Sequence, residues 1–343
     1  MRAWIAGLGL ALLLVLPARG QGFAFAAFGG MPFRAEDEAR VLALVAAINR
    51  QGPAFTIFLG NGKASREPCT EELLVARPQR IFARFDRALV TIPGDNDWTD
   101  CGPRSAAESG PADALGRLRE AFFSGPASFG GRPIRLARQG GLRGLHVEEI
   151  ENARWIHAGV VFATLNLPAV PRPDVPGTRQ IHPEVLPILP RLAEAAAAWI
   201  DASFEEARRQ RARAVVFAFT ADLWHPCHMV AATECRARPR AQGGEAGTRL
   251  VRDLPYDIGA VLDRLAAGAA ALRRPVLLLH GDGHQYLVQP WPSDGRGGTI
   301  PYATRMMVPG DADIRALLVE AQPEARLPWS SRLVTAAPHA AGK

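Results

Sequence analysis

Ala88-Leu89-Val90-Thr91-Ile92-Pro93-Gly94-Asp95-Asn96-Asp97-Trp98 is the stretch from which the rest of the chain is read. The first five residues form an apolar, branched run of strand character, and the Pro93-Gly94 pair stops it. Asp95, Asn96 and Asp97 then sit just past the carboxyl end of that strand. In an open α/β sheet this edge is where ligands gather, so the turn is a candidate for chemistry.

The same pattern recurs outward in both directions. Phe23 to Phe28 leads into Gly29-Gly30-Met31-Pro32, and Phe55 to Leu59 leads into Gly60-Asn61-Gly62-Lys63. Ala214 to Phe219 leads into Thr220-Ala221-Asp222-Leu223-Trp224, and Val276 to Leu279 leads into His280-Gly281-Asp282-Gly283-His284. Val160 to Leu167 reads as a further buried strand. Between the strands lie amphipathic helices marked by Val41, Leu44, Val45 and Ile48, by Leu189, Leu192, Ala196, Ile200, Phe204 and Ala207, and by Ile258, Val261, Leu262, Leu265 and Leu272. Strands alternating with helices predict an α/β layered fold. Near the end, Tyr286 to Val288, Arg305 to Val308 and Arg315 to Val319 read as antiparallel strands joined by turns such as Pro309-Gly310-Asp311. Gly102 to Pro111 and Pro168 to Pro187 read as loops beside the candidate site.

Residues 1–20 combine Arg2, an apolar run from Trp4 to Leu16, Pro17, and small residues at Ala18 and Gly20, the pattern of a cleaved signal peptide. Residues 21–343 then read as a single domain, periplasmic or secreted, with no membrane anchor. A formal charge of +6 spread without basic blocks argues against a nucleic-acid surface. The even set Cys69, Cys101, Cys227 and Cys235 suits two disulfides in an oxidising compartment, with sequence nearness pairing Cys227 to Cys235 and leaving Cys69 for Cys101. His225, Cys227, His228 and Cys235 also fit a metal cluster.

His280, Asp282 and His284 alternate, so on an extended segment they share a face and offer imidazole and carboxylate to a transition metal. They fit equally a polar turn with its histidines hydrogen-bonded. Gly60-Asn61-Gly62 reads as a weaker phosphate cradle.

Taken together, the five strand-end segments resemble the calcineurin-like metallophosphoesterases, and more closely a secreted bacterial branch of them. That branch carries motifs of the form Gly-Asp-x-Pro, Leu-Gly-Asp-x-Lys, Pro-Gly-Asp-Asn-Glu-Trp-x-Asp-Cys, His-Ala-Asp-x-Trp and His-Gly-Asp-x-His. Pro93 to Trp98 with Asp100-Cys101, and Leu279 to His284, carry the resemblance most specifically. Glu151 to Trp155 and Val161 to Asn166 are also similar.

The resemblance implies a four-layer sandwich of two mixed β-sheets flanked by helices. It also implies a dinuclear centre of divalent metal (Mn, Fe or Zn) whose bridging water attacks a phosphoester, and a small phosphorylated ligand as partner. Carried over by position, Asn61, Asn96, Asp282 and His284, helped by His280, are the metal-ligand candidates, and His284, Asp282 and Asn96 the catalytic ones. The chain departs from the pattern at Gly30, which replaces the first-motif aspartate, at Pro32 and Thr220, which replace histidines, and at Asn61, which replaces the bridging aspartate. Two cations carry four positive charges, and this set lacks two of the anions that would neutralise them. The expectation is an incomplete dinuclear centre and weak or absent hydrolysis. The competing expectation is a periplasmic phosphatase or phosphodiesterase working with a reduced ligand set.

Overall fold

The structure is a computed structural model and describes residues 22–102, 108–141, 146, 148–169, 181–223, 258–291 and 300–336. The leader reading, Trp224, and the cluster of His225, Cys227, His228 and Cys235 lie outside the described residues.

Among the described residues twelve strands form two sheets. They are β1 (Phe23–Phe28), β2 (Phe55–Phe58), β3 (Ala88–Thr91), β4 (Ala137–Arg138), β5 (Ala153–His157), β6 (Val160–Leu165), β7 (Ala214–Phe219), β8 (Val276–His280), β9 (Leu287–Pro290), β10 (Ala303–Met307), β11 (Arg315–Ala321) and β12 (Trp329–Thr335). The five-stranded sheet runs β12-β11-β1-β2-β3 and the seven-stranded sheet β4-β5-β6-β7-β8-β10-β9. In the first, β1, β2 and β3 are parallel while β11 and β12 are antiparallel to their neighbours. In the second, β6, β7, β8 and β10 are parallel.

Alternation along each strand explains the layering. Phe25 and Ala27 of β1 belong to a core shared with Val216 and Ala218 of β7 and with Leu277 and Leu279 of β8, so the two sheets pack face to face. Ala26 and Phe28 point the other way, into the core under helix α1 (Asp37–Gln51). On the far side Val215, Phe217 and Leu278 meet Trp199, Ile200 and Phe204 of α4 (Ile188–Arg209) and Val261 and Leu265 of α5 (Ile258–Leu272). Two shorter helices are α2 (Arg77–Phe82) and α3 (Pro111–Leu118). Strands buried on both faces read as unbroken apolar runs, which is why they were legible in the sequence. Among the described residues no helix is long and apolar enough to cross a membrane.

Two expectations change. β10 is antiparallel only to β9 and runs parallel to β8. Pro309-Gly310-Asp311 is therefore no hairpin turn: it carries the chain from β10 of one sheet to β11 of the other. It is anchored on the way by Asp311, whose N–H donates to the Gly30 carbonyl at 2.8 Å.

Cys69 and Cys101 form a disulfide with Cα atoms 5.6 Å apart. The bridge ties the segment after β2 to the segment after β3, the two that carry Asn61 and Asn96. Replacing both cysteines by alanine is expected to remove about 3 kcal/mol of stability, the scale for closing a loop of this size. Urea unfolding checks it, and unchanged midpoints would show that these loops are held by their polar contacts alone.

Candidate functional site at the carboxyl edge of the two sheets

The parallel strands of both sheets end on one edge, and backbone bonds knit their loops together there. Gly30 donates to the Gly60 carbonyl at 2.9 Å, and Gly281 donates to the Thr220 carbonyl at 3.1 Å. The loops after β2 and β3 touch so closely that a Cβ on Gly60 would stand 2.4 Å from the Gly94 nitrogen, and one on Gly94 would stand 1.9 Å from Asn61 Oδ1. Only glycine fits at either place. The two Gly-containing turns owe their glycines to each other.

Asp97 is the clamp between these loops. Its carboxylate accepts three backbone N–H groups, from Asn61, Gly62 and Gly94, each at 2.8 Å. Burial raises its pKa, opposed by those amides and by Lys63. The expected phosphate cradle at Gly60-Asn61-Gly62 is thus filled from within, because its outward amides already hold a carboxylate.

Asn61 stands at the centre, 1% exposed and with a left-handed φ of 57° that asparagine tolerates better than most residues. Its Oδ1 accepts the Asn96 backbone N–H at 3.1 Å. That donor fixes which end of the amide is oxygen, so the nitrogen must face the other way. Nδ2 donates to Asp95 Oδ1 at 3.0 Å and to Asp282 Oδ1 at 3.4 Å. One neutral amide therefore supplies hydrogens to two carboxylates that would otherwise repel.

Around this centre, Gly30 faces His284: a Cβ there would lie 3.5 Å from His284 Nδ1, in ordinary contact. The His284 ring is also edge-on to Phe33 at 5.5 Å. The Thr220 hydroxyl is shared between the Leu59 carbonyl at 2.8 Å and the Pro93 carbonyl at 3.2 Å, stitching the two sheets. Asn96 Nδ2 donates to the Lys63 carbonyl at 3.0 Å. Pro32 is buried after a cis Met31–Pro32 bond. The edge thus brings Gly30, Asn61, Asn96, Thr220, Asp282 and His284 together.

His280 departs from expectation. It ends β8 fully buried, and Asp282 and His284 follow in left-handed conformations with φ of 64° and 50°, so the three residues do not alternate along an extended segment. Its Nε2 accepts from Arg305 Nε at 2.7 Å, and its Nδ1 lies 3.0 Å from the Gly281 carbonyl. Both ring nitrogens are engaged by the protein. Arg305 itself went unread in the sequence; a lone charge between Thr304 and Met306 in an apolar strand was the available signal. Its guanidinium reaches Asp222 Oδ1 at 2.5 Å.

Burial pushes the Asp95 carboxyl well above the usual carboxylate range, reinforced by the charge of Asp282 and opposed by Asn61. Asp282 is partly exposed as a residue, but its Oδ2 is enclosed. Burial, then the charge of Asp222, push it up to about 7, opposed by the Asp222 backbone N–H. A folded pKa above the unfolded value of 3.8 means that the native state holds the proton more tightly. Its stability contribution is greatest below the unfolded pKa and falls as pH rises to the folded one. The thermal midpoint is expected to drop between about pH 4 and about pH 7 and to level off above, and Asp282→Asn is expected to flatten that slope. Differential scanning calorimetry across the range checks both.

A dinuclear metal pair does not fit these residues. Gly30 offers no ligand atom, the Thr220 hydroxyl is committed to carbonyls, and the Asn61 oxygen faces a backbone N–H while its nitrogen faces the carboxylates. Among the described residues no group of three or more His, Cys, Asp or Glu side chains is placed to hold a metal ion.

No family model matches the chain, and no curated protein sequence does either. Among solved structures, PhoD superposes with a TM-score of 0.52 at 10% identity, over 93% of this chain and 70% of that one. The chain has the calcineurin-like metallophosphoesterase fold. Other solved structures align at lower scores. GAP50, the anchor in the inner membrane complex of Plasmodium, has a TM-score of 0.49 at 12% identity over 92% of this chain and 85% of its own. A dimetal phosphatase from Danio rerio has 0.47 at 14% identity over 92% and 99%. At such identities the metallophosphoesterase likeness establishes architecture, and the chemistry has to be argued from the side chains.

Proposed function

We propose that this chain is an exported protein of metallophosphoesterase ancestry that has given up metal-dependent phosphoester hydrolysis and uses the old cleft as a non-catalytic binding site. The observation that carries the reading is the Asn61 amide, which donates to Asp95 and Asp282 at the point where the fold calls for an anionic bridge between cations. A bridging water is held between two cations, which make it a nucleophile, and this arrangement supplies an N–H group at that point. Export is supported by the Cys69–Cys101 disulfide, a bond that persists in oxidising compartments. A small phosphorylated molecule is the ligand class that the ancestry suggests.

Hydrolysis of a nitrophenyl phosphate ester by the purified chain, with Mn2+ or Zn2+ added, tests the reading. Turnover is expected to stay at the level of buffer with metal alone. Turnover that disappears in His284→Ala would restore the alternative, a hydrolase using a reduced ligand set.

A further inference from the structure

Arg305 is 5% exposed, a charged residue in the middle of a strand whose neighbours Met306 and Met307 are buried. Taking a guanidinium out of water costs several kcal/mol in order of magnitude unless it is paired and its donors are satisfied. Here the pairing is directional. Nε donates to His280 Nε2 at 2.7 Å and Nη2 donates to Asp222 Oδ1 at 2.5 Å, and the side chain of Asp222 is 1% exposed. Because His280 Nε2 accepts, Nδ1 carries the ring proton and donates to the Gly281 carbonyl 3.0 Å away.

The chain of contacts continues into the cleft. The Asp222 backbone N–H donates to the Asp282 carboxylate, and Asp282 accepts from Asn61, which also serves Asp95. Asp222 lies at the end of β7, and Asp282 and His280 lie at the end of β8. Three carboxylates meet at one sheet edge, and a guanidinium delivered by β10 reaches the innermost of them.

We propose that Arg305 is a resident cation, whose guanidinium neutralises Asp222 beside Asp282 in place of a divalent ion and keeps such ions out of the cleft. This deepens the reading given above and rests on it. Asn61 fills the central position with N–H donors, and Arg305 supplies the positive charge that an amide lacks. His280 serves as a positioning residue, holding the guanidinium through Nε so that Nη2 meets Asp222.

Removing Arg305 should convert a self-neutralised cluster into one that takes up metal. Arg305→Met is expected to bind Mn2+ about tenfold or more tightly than the parent chain, the scale on which changes around a metal's ligands act. Its thermal midpoint, lowered in EDTA, is expected to recover when Mn2+ is added. Arg305→Lys keeps a charge in the same strand position and is expected to bind no more Mn2+ than the parent. Calorimetric titration and thermal unfolding of all three chains with Mn2+ read these outcomes. An Arg305→Met chain that gains no Mn2+ response, folded or not, overturns the assignment, and so does an Arg305→Lys chain that binds as well as Arg305→Met. Tight binding of two ions by the parent would instead sink the functional reading itself.

Discussion

Asn61→Asp is expected to destabilise the metal-free protein by about 3 to 5 kcal/mol at alkaline pH, the range for leaving buried charge uncompensated. The substitution removes the Nδ2 donor that lies 3.0 Å from Asp95 and 3.4 Å from Asp282, and puts a third carboxylate between them. Oδ1 of the new side chain can still accept the Asn96 N–H, so the loss falls on the two aspartates and not on the loop backbone. Acid should relieve the strain, because Asp95 and Asp282 already hold protons above the usual carboxylate range and the added group would join them. Mn2+ should relieve it only in part, since the new carboxylate adds an anionic ligand while Arg305 still holds Asp222. Urea unfolding in EDTA at alkaline and acidic pH, repeated with Mn2+, gives the three comparisons. A variant as stable as its parent under alkaline, metal-free conditions would show that the Asn61 amide is not what holds the carboxylates together.

Asp97→Ala is expected to cost about 4 kcal/mol, because three buried backbone N–H groups lose their common acceptor and each unmet donor costs about 1 to 3 kcal/mol before relaxation or water entry. Those donors belong to Asn61, Gly62 and Gly94, so the damage should spread over both loops. Hydrogen exchange localises the effect: amides from residue 60 to 62 and at residue 94 should lose protection together, while those of β6 and β7 keep theirs until global unfolding. Asp97→Asn retains one side-chain oxygen and should fall between the alanine variant and the parent. Protection unchanged at Gly62 and Gly94 would contradict the clamp.

Nine of the strands and the three long helices were legible as apolar runs or runs of definite period, whereas β4, β5, β12, α2 and α3 were not read; in β12 the polar Ser330, Ser331 and Arg332 interrupt the apolar residues. The convergence of Gly30, Asn61, Asn96, Thr220, Asp282 and His284 was legible for a related reason, since parallel strands deliver their carboxyl ends to a shared edge. What each side chain does there was not. His280 looked like a ligand by alternation, but alternation needs an extended backbone, and the left-handed conformations at Asp282 and His284 break it. Asp97 sat within the quoted motif without a role, because its role depends on amides some thirty-five positions away in sequence. Arg305 was hidden for the opposite reason. Its partners Asp222 and His280 come from other strands, and a single arginine in a strand carries no spacing to read. Glu151 and Asn166 were picked out by resemblance. The structure gives them a packing role: Glu151 is fully buried, accepts both Nε and Nη2 of Arg119, and is bonded by Asn166 at 2.8 Å.

Every carboxylate described at the cleft is met by a donor from the protein: Asp97 by three amides, Asp95 by Asn61, Asp282 by Asn61 and the Asp222 N–H, and Asp222 by Arg305. Restoring Gly30→Asp and Asn61→Asp would therefore be only part of a return to metal binding, because Arg305 would still hold Asp222. A Cβ at Gly30 meets no clash beside His284, but the left-handed φ of 64° there strains any side chain, so that first step carries a backbone cost of its own.

The most direct test is calorimetric titration of the unaltered, purified chain with Mn2+ after treatment with EDTA. The account predicts no tight binding, since an amide and a guanidinium already serve the carboxylates at this edge. Uptake of two Mn2+ ions with high affinity, lost in His284→Ala, would contradict it.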